Sequence, residues 1–166
     1  MAELAFLYRA AREGIAVAKP WGASHPYDCL VQYKSRLLRI QVKSTFTEPT
    51  HIRPHAYQVI ASRRVGGKTC HYTREQVDFV ATFVGTRDIW YIIPIENIGM
   101  RRAVYLYPDG RKKSGGGIFE EFREAWHLLK GESRIADISA ASAEGSALRW
   151  GILDLGVKEV RPISSF

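Results

Sequence analysis

The sequence contains little cysteine and no long hydrophobic run, and both absences exclude classes of protein. Two cysteines among 166 residues are too few for a disulfide framework or a cysteine-rich zinc site. Cys29 falls in an expected strand, where a free thiol is usually a small buried side chain. The sequence has no apolar run of about 18 residues and no recognisable signal peptide, so we expect a cytoplasmic protein with no membrane partner.

Acidic residues are also scarce relative to basic ones. The chain has 17 Asp and Glu against 24 Lys and Arg, which gives a net charge of +7. This excess predicts a polyanionic partner, and nucleic acid is the commonest one. The hydrophobic content of 46% is ordinary for a globular domain with a core of its own.

The most informative stretch is an expected β-hairpin over residues 27–45. Apolar and polar residues alternate over residues 37–45. Side chains of a strand point alternately to its two faces, so Arg39, Gln41 and Lys43 share one face.

The turn of this hairpin predicts which residue of the first strand lies beside Gln41 on that face. A loop centred on Lys34 and Ser35 pairs residues whose numbers add to 69, which places Asp28 opposite Gln41. Asp28, Gln41 and Lys43 then meet in one patch. A slip of one residue would send Asp28 to the other face and scatter the three side chains.

The patch offers the oxygen ligands that a hard cation requires. Mg²⁺ binds carboxylate, carbonyl and water oxygens, and here Asp28, the Gln41 side chain and the Val42 carbonyl would supply them. Lys43 would hold the attacking water or stabilise charge on a phosphate. The pattern is typical of a magnesium-dependent hydrolytic site. An ordinary solvent-exposed strand face shows the same alternation, so spacing alone leaves both interpretations open.

Residues 2–13 predict a helix that Gly14 ends. The residues expected on its apolar stripe are Leu4, Leu7, Tyr8 and Ala11. Glu3 borders this stripe, so it either points towards the sheet or stabilises the helix N-terminus through the helix dipole. An inward Glu3 would compensate for the charge that Gln41 does not bring.

The rest of the chain predicts a single α/β domain. Residues 77–84 and 88–94 are almost continuously apolar, which is typical of strands covered on both faces. Residues 118–130 predict an amphipathic helix, with inward positions Phe119, Phe122, Trp126 and Leu129. The composition then changes. We expect a domain over residues 1–130 and a C-terminal extension over residues 131–166, either a flexible tail or an arm at an oligomer contact.

Basic residues predict contacts with a nucleic-acid backbone. Two loops, at residues 63–68 and 111–117, combine lysine and arginine with glycine. The residues expected to contact DNA are Arg39, Arg63, Arg64, Lys68, Lys112 and Lys113. A plain surface hairpin would also carry charges of this kind, so the first loop leaves both interpretations open.

Taken together, these residues resemble the PD-(D/E)XK nuclease superfamily. The resemblance rests on Glu3, Trp21-Gly22, Tyr27-Asp28, residues 38–45, residues 77–79 and residues 90–94. Gln41 in the third motif position is similar to the branch that includes group I intron-encoded homing endonucleases. The resemblance covers roughly residues 1–130 and implies a restriction-endonuclease-like core, with a central mixed β-sheet flanked by helices.

The resemblance also implies roles for individual residues. Asp28 matches the metal-binding aspartate, Gln41 the substituted acid and Lys43 the motif lysine, while Glu3 matches a first-helix glutamate that assists metal binding. The implied activity is a magnesium-dependent endonuclease for double-stranded DNA. Because one site per chain cuts one strand, a dimer or tetramer is expected. Two alternatives stay open: a DNA-binding module without catalysis, since Gln41 removes a ligand charge, and a Holliday-junction resolvase-like enzyme.

Overall fold

The computed structural model describes residues 1–22, 24–110 and 117–132. The elements in these ranges are α1 (Ala2–Arg12), β1 (Ala16–Ala18), β2 (Cys29–Tyr33), β3 (Arg36–Thr45), β4 (Tyr57–Ile60), β5 (Arg63–Val65), β6 (Lys68–Cys70), β7 (Phe79–Val84), β8 (Ile89–Pro94), α2 (Ile95–Ile98), β9 (Ala103–Leu106) and α3 (His127–Lys130). None of the described helices is long and apolar enough to cross a membrane. Almost all of the predicted C-terminal extension lies outside the described residues, so the domain boundary stays a prediction.

A mixed sheet of five strands forms the centre of the fold, in the order β1-β2-β3-β7-β8. β3 and β7 run parallel, and every other neighbouring pair is antiparallel. All of β7 is buried, because the sheet is covered on both faces. The predicted α/β class with a central mixed sheet flanked by helices is confirmed.

The β2–β3 hairpin has the predicted register. Cys29 pairs with Ile40 and Tyr33 with Arg36, so the paired numbers add to 69. Asp28 lies just before β2, and its backbone N–H donates to the Ile40 carbonyl at 2.9 Å. This hydrogen bond continues the β2–β3 pairing to the residue before β2, and from that position the Asp28 side chain contacts Gln41.

Helix α1 covers one face of the sheet, but with a different stripe from the predicted one. Phe6 and Ala10 are fully buried. Three residues predicted to face inward are exposed instead, namely Leu4, Tyr8 and Ala11. The reason is the Phe6 ring, which packs against two tryptophan rings at centroid distances of 5.6 Å. This rotation puts Glu3, one turn before Phe6, on the side of the helix that faces the sheet.

A second, two-stranded sheet of β4 and β9 covers the opposite face. Tyr57 and Val59 of β4 turn inward and pack in one core with Val80 of β7. The β5–β6 hairpin follows directly. Its turn consists of Gly66 and Gly67, with φ angles of 56° and 80°. Two consecutive residues at positive φ form the tight turn that suits a two-residue hairpin, and glycine adopts it at little cost.

Residues 118–130 do not form the predicted single helix. Arg123 is extended and bridges to Tyr91 of β8, and the Glu124 N–H donates to the Trp90 carbonyl at 2.8 Å. β8 is the outermost strand of the sheet, and its free backbone groups pair with this segment. The apolar residues predicted to face inward are nevertheless buried, namely Phe119, Phe122, Trp126 and Leu129.

Candidate active site

The Asp28 carboxylate is the centre of the candidate site. Its Oδ2 accepts the Val42 backbone N–H at 2.7 Å and a hydrogen bond from the Gln41 side-chain amide. Burial raises the pKa of this carboxyl, the Val42 hydrogen bond lowers it and the charge of Glu3 raises it, while Lys43 lowers it. The net effect is a pKa above the ordinary value for aspartate, so the ionised carboxylate gains from a nearby cation.

The Gln41 side chain is 6% exposed and lies between two oxygen atoms. Its Nε2 donates to Oδ2 of Asp28 and, at 3.2 Å, to the Val42 carbonyl. A half-turn about the last side-chain bond exchanges the amide oxygen and nitrogen. With the oxygen turned inward, three oxygens of Asp28, Gln41 and Val42 would face one another, and they would need a cation between them.

This donor set fits Mg²⁺. One carboxylate, one amide oxygen and one backbone carbonyl are hard ligands, and Mg²⁺ usually completes its shell with water and substrate phosphate. Across the described ranges no three His, Cys, Asp or Glu residues lie close enough together to hold a metal ion. A cation here would therefore depend on Asp28 for most of its charge compensation.

Glu3 and Lys19 form the rim of the site on the side of α1. The Lys19 ammonium donates to the Glu3 carboxylate, and this hydrogen bond, with the attraction between the two charges, raises the pKa of Lys19. Both residues also act electrostatically on Asp28. Lys19 was missed in the sequence. Lys19 follows β1 directly, and the antiparallel pairing of β1 with β2 brings it near Asp28. The sequence around β1 does not show that β2 is its partner strand.

Lys43 extends from the same face of β3 as Gln41. Its Nζ lies 5.6 Å from the centroid of the Tyr72 ring, and the guanidinium carbon of Arg63 lies 5.6 Å from the same centroid. The start of the β5–β6 hairpin is thus placed beside the motif lysine. The sequence predicted that Arg63 contacts DNA, but it did not predict that Arg63 lies near Lys43. Tyr72 was missed because no spacing or motif marks it.

Arg39 does not join the patch, although it shares the strand. Its Nε and Nη2 donate to the Asp78 carboxylate at 3.0 and 2.9 Å, and its backbone N–H donates to the same group at 2.7 Å. Burial raises the pKa of Asp78, but the hydrogen bonds from Arg39 outweigh it and the pKa falls below its usual range. Arg39 therefore forms a structural ion pair with Asp78. Contact of Arg39 with DNA stays a prediction.

The other basic residues divide into two groups. Arg64 and Lys68 are exposed on the β5–β6 hairpin, where Arg64 Nη2 donates to the Gly67 carbonyl at 2.9 Å. Lys112 and Lys113 lie outside the described residues. Contact of all four with DNA stays a prediction.

Cys29, next to Asp28, is not a candidate nucleophile. It is buried, and burial, followed by the charges of Asp28 and Glu3, raises the pKa of its thiol to about 12. The thiol is therefore protonated at neutral pH and unreactive. Its burial confirms that Cys29 is a small core residue.

Comparison with known proteins identifies both a family and a fold. Residues 1–128 match the family model described as PD-(D/E)XK endonuclease. Among solved structures, the chain is similar to a bacterial homing endonuclease, I-Ssp6803I, with a TM-score of 0.67. The identity is 24%, and the match covers 89% of this chain and 93% of the other. The comparison with curated proteins gave no match. At this identity the structural similarity shows a shared fold.

Proposed function

The chain belongs to the PD-(D/E)XK endonuclease family, and from this premise we propose that it is a magnesium-dependent nuclease for double-stranded DNA, with its site at Asp28, Gln41 and Lys43. Nucleases of this family generally use divalent metal ions. The observation that carries the proposal is the meeting of the Asp28 carboxylate, the Gln41 amide and the Val42 carbonyl at one point.

Asp28, Gln41 and Val42 would hold the cation with their oxygens, and Lys43 would act on the substrate. Bound Mg²⁺ supplies Lewis-acid polarisation of the phosphate and a water of lowered pKa. The Lys43 ammonium donates hydrogen bonds to the attacking water or to a phosphate oxygen as negative charge develops there. The buried amide of Gln41 keeps bulk water away from one side of Asp28.

Glu3 supplies a second negative charge at the rim of the site. Its partner Lys19 is exposed, so the ammonium can turn towards a DNA phosphate. Glu3 would then be free to accept a hydrogen bond from water in the site. This role compensates for the uncharged ligand Gln41, and it uses the inward orientation that the rotation of α1 produces.

The shared fold supports a narrower proposal about substrate and assembly. I-Ssp6803I is a homing endonuclease, and by analogy we propose that this chain cuts duplex DNA at a specific site. The described residues of each chain carry one candidate site. Cleavage of both strands therefore requires at least two chains, and a symmetric homo-oligomer, a dimer or tetramer, meets that requirement.

A plasmid-cleavage assay tests the proposal. The substrate is a supercoiled plasmid library with a randomised duplex insert, incubated with the full chain in Mg²⁺ and, separately, in EDTA. We expect open-circular and linear products in Mg²⁺ alone, and no products with Asp28→Asn or Lys43→Ala. Lys34→Ala, which removes an exposed lysine from the turn of the same hairpin, is the matched control and should cut like the parent chain.

Three other results would contradict this function. Cleavage that persists in EDTA, or that Asp28→Asn performs at the parent rate, would rule out hydrolysis at a metal site here. DNA binding without any cleavage would favour the DNA-binding module. Cleavage restricted to four-way junctions, offered as a second substrate, would favour a resolvase-like enzyme.

A further inference from the structure

We propose that Arg63 is a further catalytic residue, whose guanidinium binds the scissile phosphate together with Lys43, and that Tyr72 is the positioning residue for both cations. The proposal rests on the nuclease function proposed above. It goes beyond that function by assigning a direct role in the reaction to an arginine outside the PD-(D/E)XK motif.

The Tyr72 ring is a fixed support for two positive charges. Tyr72 is 7% exposed and belongs to the core formed by the β4–β9 sheet and β7. Lys43 Nζ and the Arg63 guanidinium carbon each lie 5.6 Å from its centroid, so the two charges are separated by no more than twice that distance. Cations are attracted to an aromatic face, and more strongly where water is excluded.

Arg63 has no anionic partner in the described part of the chain. Its Nε is buried without any hydrogen-bond acceptor there, and no ion pair within that part involves Arg63. Two other arginines on the molecule differ: Arg39 pairs with Asp78, and Arg9 pairs with Glu124 at 3.0 Å. A buried donor without an acceptor is costly to maintain, and a binding or catalytic role is one physical reason for keeping it.

Two cations that lie against one aromatic ring beside a candidate phosphodiester site are suited to bind one anion together. The anion that duplex DNA offers is a phosphate, and the planar guanidinium matches two of its oxygens at once. Lys43 belongs to the nuclease motif and lies on the same face of β3 as Gln41, whose side chain donates to Asp28. The phosphate that both cations can reach is therefore the one being cut, and the charge that develops there in the transition state is where Arg63 contributes most.

Arg64 is a matched control in the same strand. Adjacent strand residues point to opposite faces, so Arg63 contacts Tyr72 whereas Arg64 is exposed and donates to the Gly67 carbonyl. Each of the two substitutions to alanine removes one positive charge from β5. A purely electrostatic contribution to DNA binding would be lost about equally in the two variants.

The experiment compares single-turnover cleavage and DNA affinity of Arg63→Ala and Arg64→Ala, with a duplex that the parent chain cuts. We expect Arg63→Ala to reduce the cleavage rate about 100-fold or more, the loss typical of one oxyanion donor. Its affinity, measured without Mg²⁺, should fall only as much as that of Arg64→Ala. Arg64→Ala should lose far less of the cleavage rate than Arg63→Ala, and Lys34→Ala, which lies outside the expected DNA contacts, should cut at the parent rate. Added guanidinium should restore part of the activity of Arg63→Ala but none of that of Lys43→Ala.

Substitutions of Tyr72 test the positioning role. Tyr72→Phe keeps the aromatic face and should retain the parent rate constant, whereas Tyr72→Leu should lower it with little change in DNA affinity. Circular dichroism shows whether Tyr72→Leu folds. If it does not fold, the cleavage rates of Tyr72→Phe and of the Arg63 and Arg64 variants test the inference. Equal cleavage rates for Arg63→Ala and Arg64→Ala would overturn the inference. If the parent chain cuts no DNA, the proposed function fails and this inference with it.

Discussion

At the scale of single residues, Asp28 determines how the site responds to pH. Its pKa is raised mainly by burial, so the native state binds this proton more tightly than the unfolded state does. The stability that the bound proton provides is fully present below the unfolded pKa, and it is lost as the pH rises through the native pKa. Above its native pKa, the metal-free protein therefore keeps an ionised carboxylate at a cost.

We therefore expect Asp28→Asn to be more stable than the parent chain at neutral pH without metal, and the difference to shrink as the pH falls. Mg²⁺ should raise the unfolding temperature of the parent but not of the variant, because only the parent binds the cation. Thermal unfolding in EDTA and in Mg²⁺, between about pH 4 and pH 8, provides both measurements. An equal Mg²⁺ effect on both proteins would show that Asp28 is not a ligand.

Gln41 determines how much the site depends on the cation. Gln41→Glu places a second buried carboxylate against Asp28, and two like charges without a cation should lower the free energy of unfolding by on the order of 1–3 kcal/mol. With Mg²⁺ the loss should be recovered and metal affinity should increase. Denaturant unfolding with and without Mg²⁺ measures both effects. Gln32→Glu, on an exposed position of β2, is the control and should change neither quantity.

At the scale of secondary-structure elements, the segment before α3 closes the edge of the central sheet. The Glu124 carboxylate accepts hydrogen bonds from the Trp90 backbone N–H at 2.8 Å, the Trp126 indole at 2.9 Å and Arg9 at 3.0 Å. One side chain thus joins α1, β8 and the segment that leads to α3. It does so from a backbone φ of 48°, an uncommon conformation for a residue other than glycine.

We expect Glu124→Ala to lower the free energy of unfolding by roughly 2–3 kcal/mol, because it leaves the Trp90 N–H at the sheet edge without its charged acceptor. Glu121→Ala, which removes an exposed carboxylate a few residues earlier, should change stability by less than about 0.5 kcal/mol. Urea denaturation followed by tryptophan fluorescence distinguishes the two variants. Equal stabilities would show that Glu124 does not hold the edge.

At the scale of the whole molecule, the net charge of +7 determines how DNA affinity responds to salt. Each neutralised phosphate releases counterions, so a protein that contacts several phosphates loses about a thousandfold or more in affinity between roughly 50 and 200 mM salt. A fluorescence titration over this range should show that slope, and Arg64→Ala should reduce it by about one counterion. Affinity that barely changes with salt would rule out a phosphate-dominated interface.

Assembly is the second prediction at this scale. A chain of 18.8 kDa with one candidate site in its described part should form a homo-oligomer if it cuts both strands. Light scattering on the purified full chain should give a mass near twice or four times that of the chain. A monomer that produces only nicked plasmid would contradict double-strand cleavage and leave the chemistry at Asp28 unaffected.

The sequence by itself determined the β2–β3 hairpin, its register and the sharing of one face by Gln41 and Lys43. These features depend on local quantities, namely a period of two residues and a turn of known length, which a one-residue slip would violate. The buried central strands were also predictable from a local pattern, because continuous apolar runs require cover on both faces of the sheet.

Only the tertiary structure decided which distant residues surround that face. Lys19 comes near Asp28 because β1 pairs with β2, and Arg63 and Lys43 come to the same region because both side chains lie against the Tyr72 ring. The rotation of α1 and the extended segment at Arg123 were likewise determined by non-local packing, against tryptophan rings and against a free sheet edge. Such contacts join residues far apart in the chain, and local periodicity carries no information about them.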